Sequence, residues 1–158
     1  MAEPIVVNSG PLVSFARIGC LDVIGRLPYE FLCPVEVWQE LDEGLASGYP
    51  WVAPAWLRKV PLVTPPSPAL LAGLDLGEAA VIQLALDAGV RTVAIDEWKG
   101  RRAALASGLR VTGSLGLLGR AKAQGLIPEL KPLIAKAIDA GIWYNRELVR
   151  AFLEAAGE

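Results

Sequence analysis

Five residues in this 158-residue chain are of a type and position to act together: Asn8, Glu40, Glu78, Asp96 and Glu97. Asn8 ends the apolar run Ile5-Val6-Val7, and Asp96 ends Thr92-Val93-Ala94-Ile95. A carboxylate directly behind a buried strand is costly unless a partner compensates it. Glu97 adjoins Asp96, Glu78 lies in the first turn of a helical segment, and Glu40 lies on the segment that Pro34 opens. Oxygen donors of this kind select a hard cation such as Mg²⁺ or Mn²⁺. The chain has no histidine. That excludes Ser-His-Asp and Cys-His catalysis, His-ligated zinc or iron, and imidazole pH switching. Cys20 and Cys33 are too few for a zinc site of their own and suggest no disulfide framework.

Each of these residues also has a purely structural reading. Asp75-x-x-Glu78 is a capping-box arrangement, in which Glu78 satisfies backbone amides at a helix start. Glu40 stands among Glu36, Asp42 and Glu43, as on a solvated acidic face. Asn8 can cap the turn into the next helix. Arg101 and Arg102 can be the wet face of an amphipathic helix. Trp38, Trp51, Trp56, Trp98 and Trp143 are expected mostly in the core or in interfaces, and none alone indicates base stacking.

Charge is unevenly distributed. Between Arg91 and Lys122 there are seven bases against Asp96 and Glu97, while Leu27 to Leu57 holds five acids and no base. The overall pI of about 5.3 argues against indiscriminate nucleic-acid binding. A basic strip beside an acidic pocket is compatible with a specific nucleic-acid enzyme.

The elements that must position these residues follow from periodicity. Strands are expected at Ile5–Val7, Glu30–Cys33, Val60–Val63, Thr92–Ile95 and Leu109–Val111. Helices are expected after Pro11, at Leu21–Gly25, after Pro34, at Leu76–Ala88 with Gly89 ending it, and at Glu97–Ser107. Further helices are expected at Leu115–Ala123, from Pro128 with Leu130, Leu133, Ile134, Ala137 and Ile138 inward, and after a capping Asn145 with Leu148, Val149, Phe152 and Leu153 inward. Strands alternating with helices predict one α/β domain over 1–158: a parallel sheet of four to five strands, flanked by helices on both faces. No signal-peptide pattern opens the chain and no apolar run approaches a membrane span, so a cytoplasmic protein is expected. A mean hydropathy of +0.41 points to extra buried surface in a homodimer or partner interface.

An ordered series of segments resembles a PIN domain: Ile5-Val6-Val7-Asn8-Ser9-Gly10-Pro11-Leu12, Val37-Trp38-Gln39-Glu40-Leu41, Leu76-Gly77-Glu78-Ala79-Ala80-Val81-Ile82, and Ala94-Ile95-Asp96-Glu97 through Gly100-Arg101-Arg102-Ala103. Gly108 to Gly116, Arg120-Ala121-Lys122, Gly125-Leu126-Ile127-Pro128 and Gly141-Ile142-Trp143 continue the series. The segments are most similar to the small prokaryotic VapC-like branch, and the resemblance covers almost the whole chain. It implies a PIN-like fold and a metal-dependent endoribonuclease, the toxin half of a toxin–antitoxin pair. In that reading Asn8, Glu40, Glu78, Asp96 and Glu97 hold Mg²⁺ or Mn²⁺, with Glu40, Glu78 and Asp96 catalytic. Lys99, Arg101 and Arg102 contact RNA phosphates, and Thr112 or Ser114 donates a hydroxyl.

Asn8 departs from the family pattern, which ordinarily has Asp there. The amide keeps an oxygen donor and deletes one charge. A degenerate scaffold that binds RNA or a protein without cleaving is therefore a second reading. A receiver-like phosphoacceptor domain with Asp96 as acceptor is a third. An antitoxin helix carrying an Arg into the acid pocket is the expected protein partner, beside a second copy of the chain.

Overall fold

The computed structural model describes residues 2–48, 52 and 54–158. Five short strands form one sheet: β1 (Glu3–Val7), β2 (Tyr29–Pro34), β3 (Leu57–Val60), β4 (Thr92–Ala94) and β5 (Arg110–Thr112). All pairings are parallel, in the order β3-β2-β1-β4-β5. The three central strands are buried on both faces through Ile5-Val6-Val7, Phe31-Leu32-Cys33 and Val93-Ala94, while the edge strands β3 and β5 are partly exposed. The described helices are α1 (Ser9–Arg17), α2 (Leu21–Ile24), α3 (Val35–Ala46), α4 (Pro68–Gly73), α5 (Leu76–Ala88), α6 (Trp98–Ala106), α7 (Ser114–Ala123), α8 (Lys131–Asp139) and α9 (Arg146–Ala155). The expected parallel α/β architecture is what the structure has. Among the described residues no helix is long and apolar enough to cross a membrane.

The sheet leaves β1 towards β2 and β3 on one side and towards β4 and β5 on the other. This reversal is a topological switch point, and it opens a crevice beyond the carboxyl ends of β1 and β4. Asn8 and Asp96 stand at those two ends. Val7 pairs with Ala94, and the Asn8 backbone N–H donates to the Ala94 carbonyl at 2.9 Å. The central helix α5 packs on β1, β2 and β4 and also touches α3, α4 and α6. Gly77 through Ile82, Leu84 and Ala85 are all buried, so α5 is apolar nearly all round. Glu78 is the acid on this otherwise dry stretch.

Some boundaries differ from the sequence reading. The third strand is Leu57–Val60, not Val60–Val63; Val63 is 87% exposed, beyond the edge strand. Pro65-Pro66 then removes two backbone donors, and Ser67 caps the unanticipated helix α4. The helix expected from Pro128 begins only at Lys131, and Ile138 faces solvent on its last turn. Part of the Pro- and Trp-rich stretch, including Trp51, lies outside the described residues. Trp98 and Trp143, expected in a core or interface, are 65% and 82% exposed.

Candidate active site

Glu78 is 7% exposed and takes the capping role that the sequence allowed. The capping box forms: Asp75 accepts from the Glu78 N–H at 2.8 Å, and Glu78 Oε1 accepts from the Asp75 N–H at 3.2 Å. Its second oxygen, Oε2, is buried with no donor. The same carboxyl meets that of Glu97. Burial pushes the Glu78 pKa up, the Glu97 carboxylate pushes it further, and Glu97 is lowered by the contact. Two carboxyl groups facing one another need a positive species between them, a proton or a cation.

Glu97 is also the N-cap of α6, accepting from the Gly100 N–H at 3.1 Å. Asp96 accepts from the Ser114 N–H at 2.7 Å. Burial raises the Asp96 pKa, while the Ser114 donors and the nearby Arg101 guanidinium oppose the rise. Glu40 is half-buried between α1 and α5; it accepts from the Ser9 hydroxyl at 2.9 Å and from the Gly77 N–H. Its pKa is raised by burial first, with Ser9 opposing. Asn8 is 6% exposed, and its Oδ1 has no partner. It occupies the N-cap position of α1 without making the side-chain cap bond, so the capping role is not what holds it there.

Three glycines make room for these acids. A Cβ on Gly77 would sit 2.0 Å from Glu40 Oε1, one on Gly100 2.9 Å from Glu78 Oε2, and one on Gly113 2.6 Å from Asp96 Oδ1. Backbone is thus brought against each carboxylate where any side chain would displace it. Reasoning from the sequence missed all three, although each lies inside a motif already noted: Leu76-Gly77-Glu78, Lys99-Gly100-Arg101 and Thr112-Gly113-Ser114. Ser9 and Tyr144 were missed as well. Ser114 is fully buried; its hydroxyl pairs with that of Tyr144 at 2.9 Å, which places it behind Asp96 rather than in the open cleft.

Asp96 and Arg101 line a cleft of about 540 Å³ together with Thr112, Trp98 and Trp143. Arg101 is anchored there by donating to the Ile95 carbonyl at 2.8 Å, so it is not merely a wet-face residue. Lys99 and Arg102 are exposed on the same helix, with the Arg102 guanidinium 5.1 Å from the Trp98 ring centre. Cys20 and Cys33 are buried free thiols pushed up to about 12, which leaves them protonated and inert near neutrality.

A family model described as PIN domain matches residues 4–158. The chain belongs to the PIN-domain family. No curated protein matches the chain significantly. PIN domains are generally nucleases. By donor type alone the residues suit a divalent cation: all donors are oxygens, and Asn8 Oδ1 and Glu78 Oε2 are buried without donors. Among the described residues no group of three His, Cys, Asp or Glu side chains is arranged to hold a metal ion. Glu40 is taken up by Ser9 and Gly77, and the amide of Asn8 brings no charge.

Proposed function

We propose that this PIN domain is a Mg²⁺- or Mn²⁺-dependent endoribonuclease, the toxin component of a VapC-like toxin–antitoxin pair. The reading is supported by two donor-less buried oxygens, Asn8 Oδ1 after β1 and Glu78 Oε2 on the adjoining α5, and by Asp96 after β4 at the same switch point of the sheet. Asn8, Glu78 and Asp96 would hold the ion, with Glu97 and Glu40 flanking it. Bound there, a divalent cation supplies a more acidic water and neutralises charge at phosphorus. Ser114 and the space left by Gly113 keep Asp96 in place; Arg101, with Lys99 and Arg102 outside it, offers donors to phosphate oxygens.

Purified protein incubated with mixed RNAs and Mn²⁺ should cleave them, and EDTA or Asp96→Ala should stop it. Cleavage indifferent to both would overturn the mechanism. Asn8 favours a second reading, a scaffold that binds RNA or protein without cleaving. A large gain of cleavage in Asn8→Asp supports that reading, and equal activity removes it.

The partners proposed with the toxin reading are an antitoxin helix and a second copy of the chain. Exposed Leu71, Leu76, Leu105 and Ile138, together with the high mean hydropathy, support an association surface. Light scattering at micromolar concentration should give about twice 16.8 kDa; a constant monomer mass rejects the dimer.

A further inference from the structure

We propose that Trp98 and Trp143 form a stacking mouth that takes unpaired bases of single-stranded nucleic acid into the Asp96 cleft. The proposal rests on the nuclease reading for its substrate class and adds the residues that select an unpaired strand. Both indoles line the cleft that holds Asp96 and Arg101. Trp98 opens α6, and Trp143 comes from the segment between α8 and α9. Their exposures, 65% and 82%, leave large apolar rings in water at the entrance of this cleft.

The surroundings decide the occupant. The walls behind the rings are apolar, supplied by Val111, Leu115, Ile142 and Phe152. Of the α6 bases Arg101 lines this cleft, while Lys99 and Arg102 line a neighbouring cavity that Trp98 shares. An aromatic entrance with the Arg101 guanidinium in its wall and further bases beside it suits a ligand that carries flat π faces on a polyanionic backbone. A duplex hides its base faces in its own stack, so an unpaired strand is the matching form. Arg102, already 5.1 Å from the Trp98 ring centre, supports that indole while remaining exposed to phosphate.

The test is fluorescence anisotropy in EDTA with a labelled single-stranded RNA of mixed sequence, an abasic strand of equal length, and an RNA duplex. Trp98→Ala and Trp143→Ala should each weaken binding of the base-bearing strand by about fivefold to about 150-fold, and leave the abasic strand unchanged. Trp→Phe should retain most of the affinity and Trp→Leu should not, a contrast that holds whatever the alanine variants do to folding. Variants that bind the base-bearing strand like the wild type would leave the mouth to a protein ligand and overturn the proposal. Equal losses on both strands would overturn it too. Cleavage in Mn²⁺ with tryptophan-independent binding sinks the stacking mouth alone. Tryptophan-dependent binding without cleavage sinks the nuclease reading alone.

Discussion

Glu158 and Glu78 are both carboxylates at the start of a helix, and the chain treats them in opposite ways. Glu158 accepts from the Leu130 and Lys131 N–H groups at the start of α8 at 2.7 and 2.9 Å, and from Lys122 Nζ at 2.7 Å. These donors hold its pKa down to about 2, the Lys122 bond contributing most. Glu78 has a single backbone donor and faces another carboxyl, so its pKa rises. A carboxylate that only fastens the fold is saturated with donors. Glu78 is left short of donors, and Asn8 Oδ1 is likewise buried without one.

The largest expected effect separates the two directly. Glu78→Gln keeps the capping acceptor but removes the charge, and should lower RNA cleavage by more than about hundredfold, on the scale of losing one electrostatic stabiliser. Glu158→Gln should leave cleavage unchanged and lower the melting temperature. If the two variants exchanged these phenotypes, the distinction between saturated and open carboxylates would fail.

Next comes the space that positions Asp96. Gly113→Ala places a methyl 2.6 Å from Asp96 Oδ1 and 2.9 Å from Arg101 Nη1. We expect a loss of about 1–3 kcal/mol in stability from overpacking. Cleavage should also fall by about a hundredfold, because the displaced carboxylate no longer lies where the reaction needs it. Chemical denaturation and RNA cleavage of the same preparation check both numbers. A variant with full activity would show that Asp96 has freedom which the hydrogen bond to Ser114 does not suggest.

Much of this arrangement was legible in the residues. Apolar strands ending in Asn8 and Asp96 gave the parallel sheet and its crevice, because strand ends are where an open α/β sheet exposes chemistry. The capping box at Asp75–Glu78 and the cap at Asn145 formed as read, since both are local patterns. What could not be read depends on distant segments meeting. Nothing near Glu40 predicts that Ser9, 31 positions away, bonds it, or that it rests on Gly77. Nor does the pattern around Trp143 reveal that α8 and α9 leave its ring in water. The β3 boundary moved because an edge strand with one neighbour has little periodicity to mark it.

A subtler change adds a charge where the site lacks one. Asn8→Asp should tighten Mn²⁺ on the order of tenfold to hundredfold, because affinity for a hard cation follows the number of anionic donors. Isothermal titration of both forms reads this without reference to cleavage. Metal-free Asn8→Asp should in turn be less stable than the parent near neutrality, since the new carboxylate enters a crevice already short of donors. An unchanged Mn²⁺ affinity would mean that the Asn8 oxygen points to an empty space rather than to an ion.

The smallest effect is the pH dependence of stability, and here the two carboxylates pull in opposite directions. Glu78 has a folded pKa above the ordinary 4.5, so its contribution is complete below about 4.5 and is lost as pH rises through the raised value. Glu158 has a folded pKa of about 2, so its contribution is complete above 4.5 and is lost as pH falls towards 2. Metal-free protein should therefore lose stability at both ends, with Glu78→Gln reducing the alkaline limb, to which the raised Asp96 and Glu40 also contribute, and Glu158→Gln reducing the acid limb. Added Mn²⁺ should restore the alkaline limb, because an ion held by Glu78 and Asp96 takes the place of the proton between Glu78 and Glu97. Urea titrations at intervals from pH 3 to about 9, with EDTA or Mn²⁺, resolve the two limbs. A Mn²⁺-independent alkaline limb would remove the cation from the Glu78–Glu97 pair and leave the proton as its sole partner.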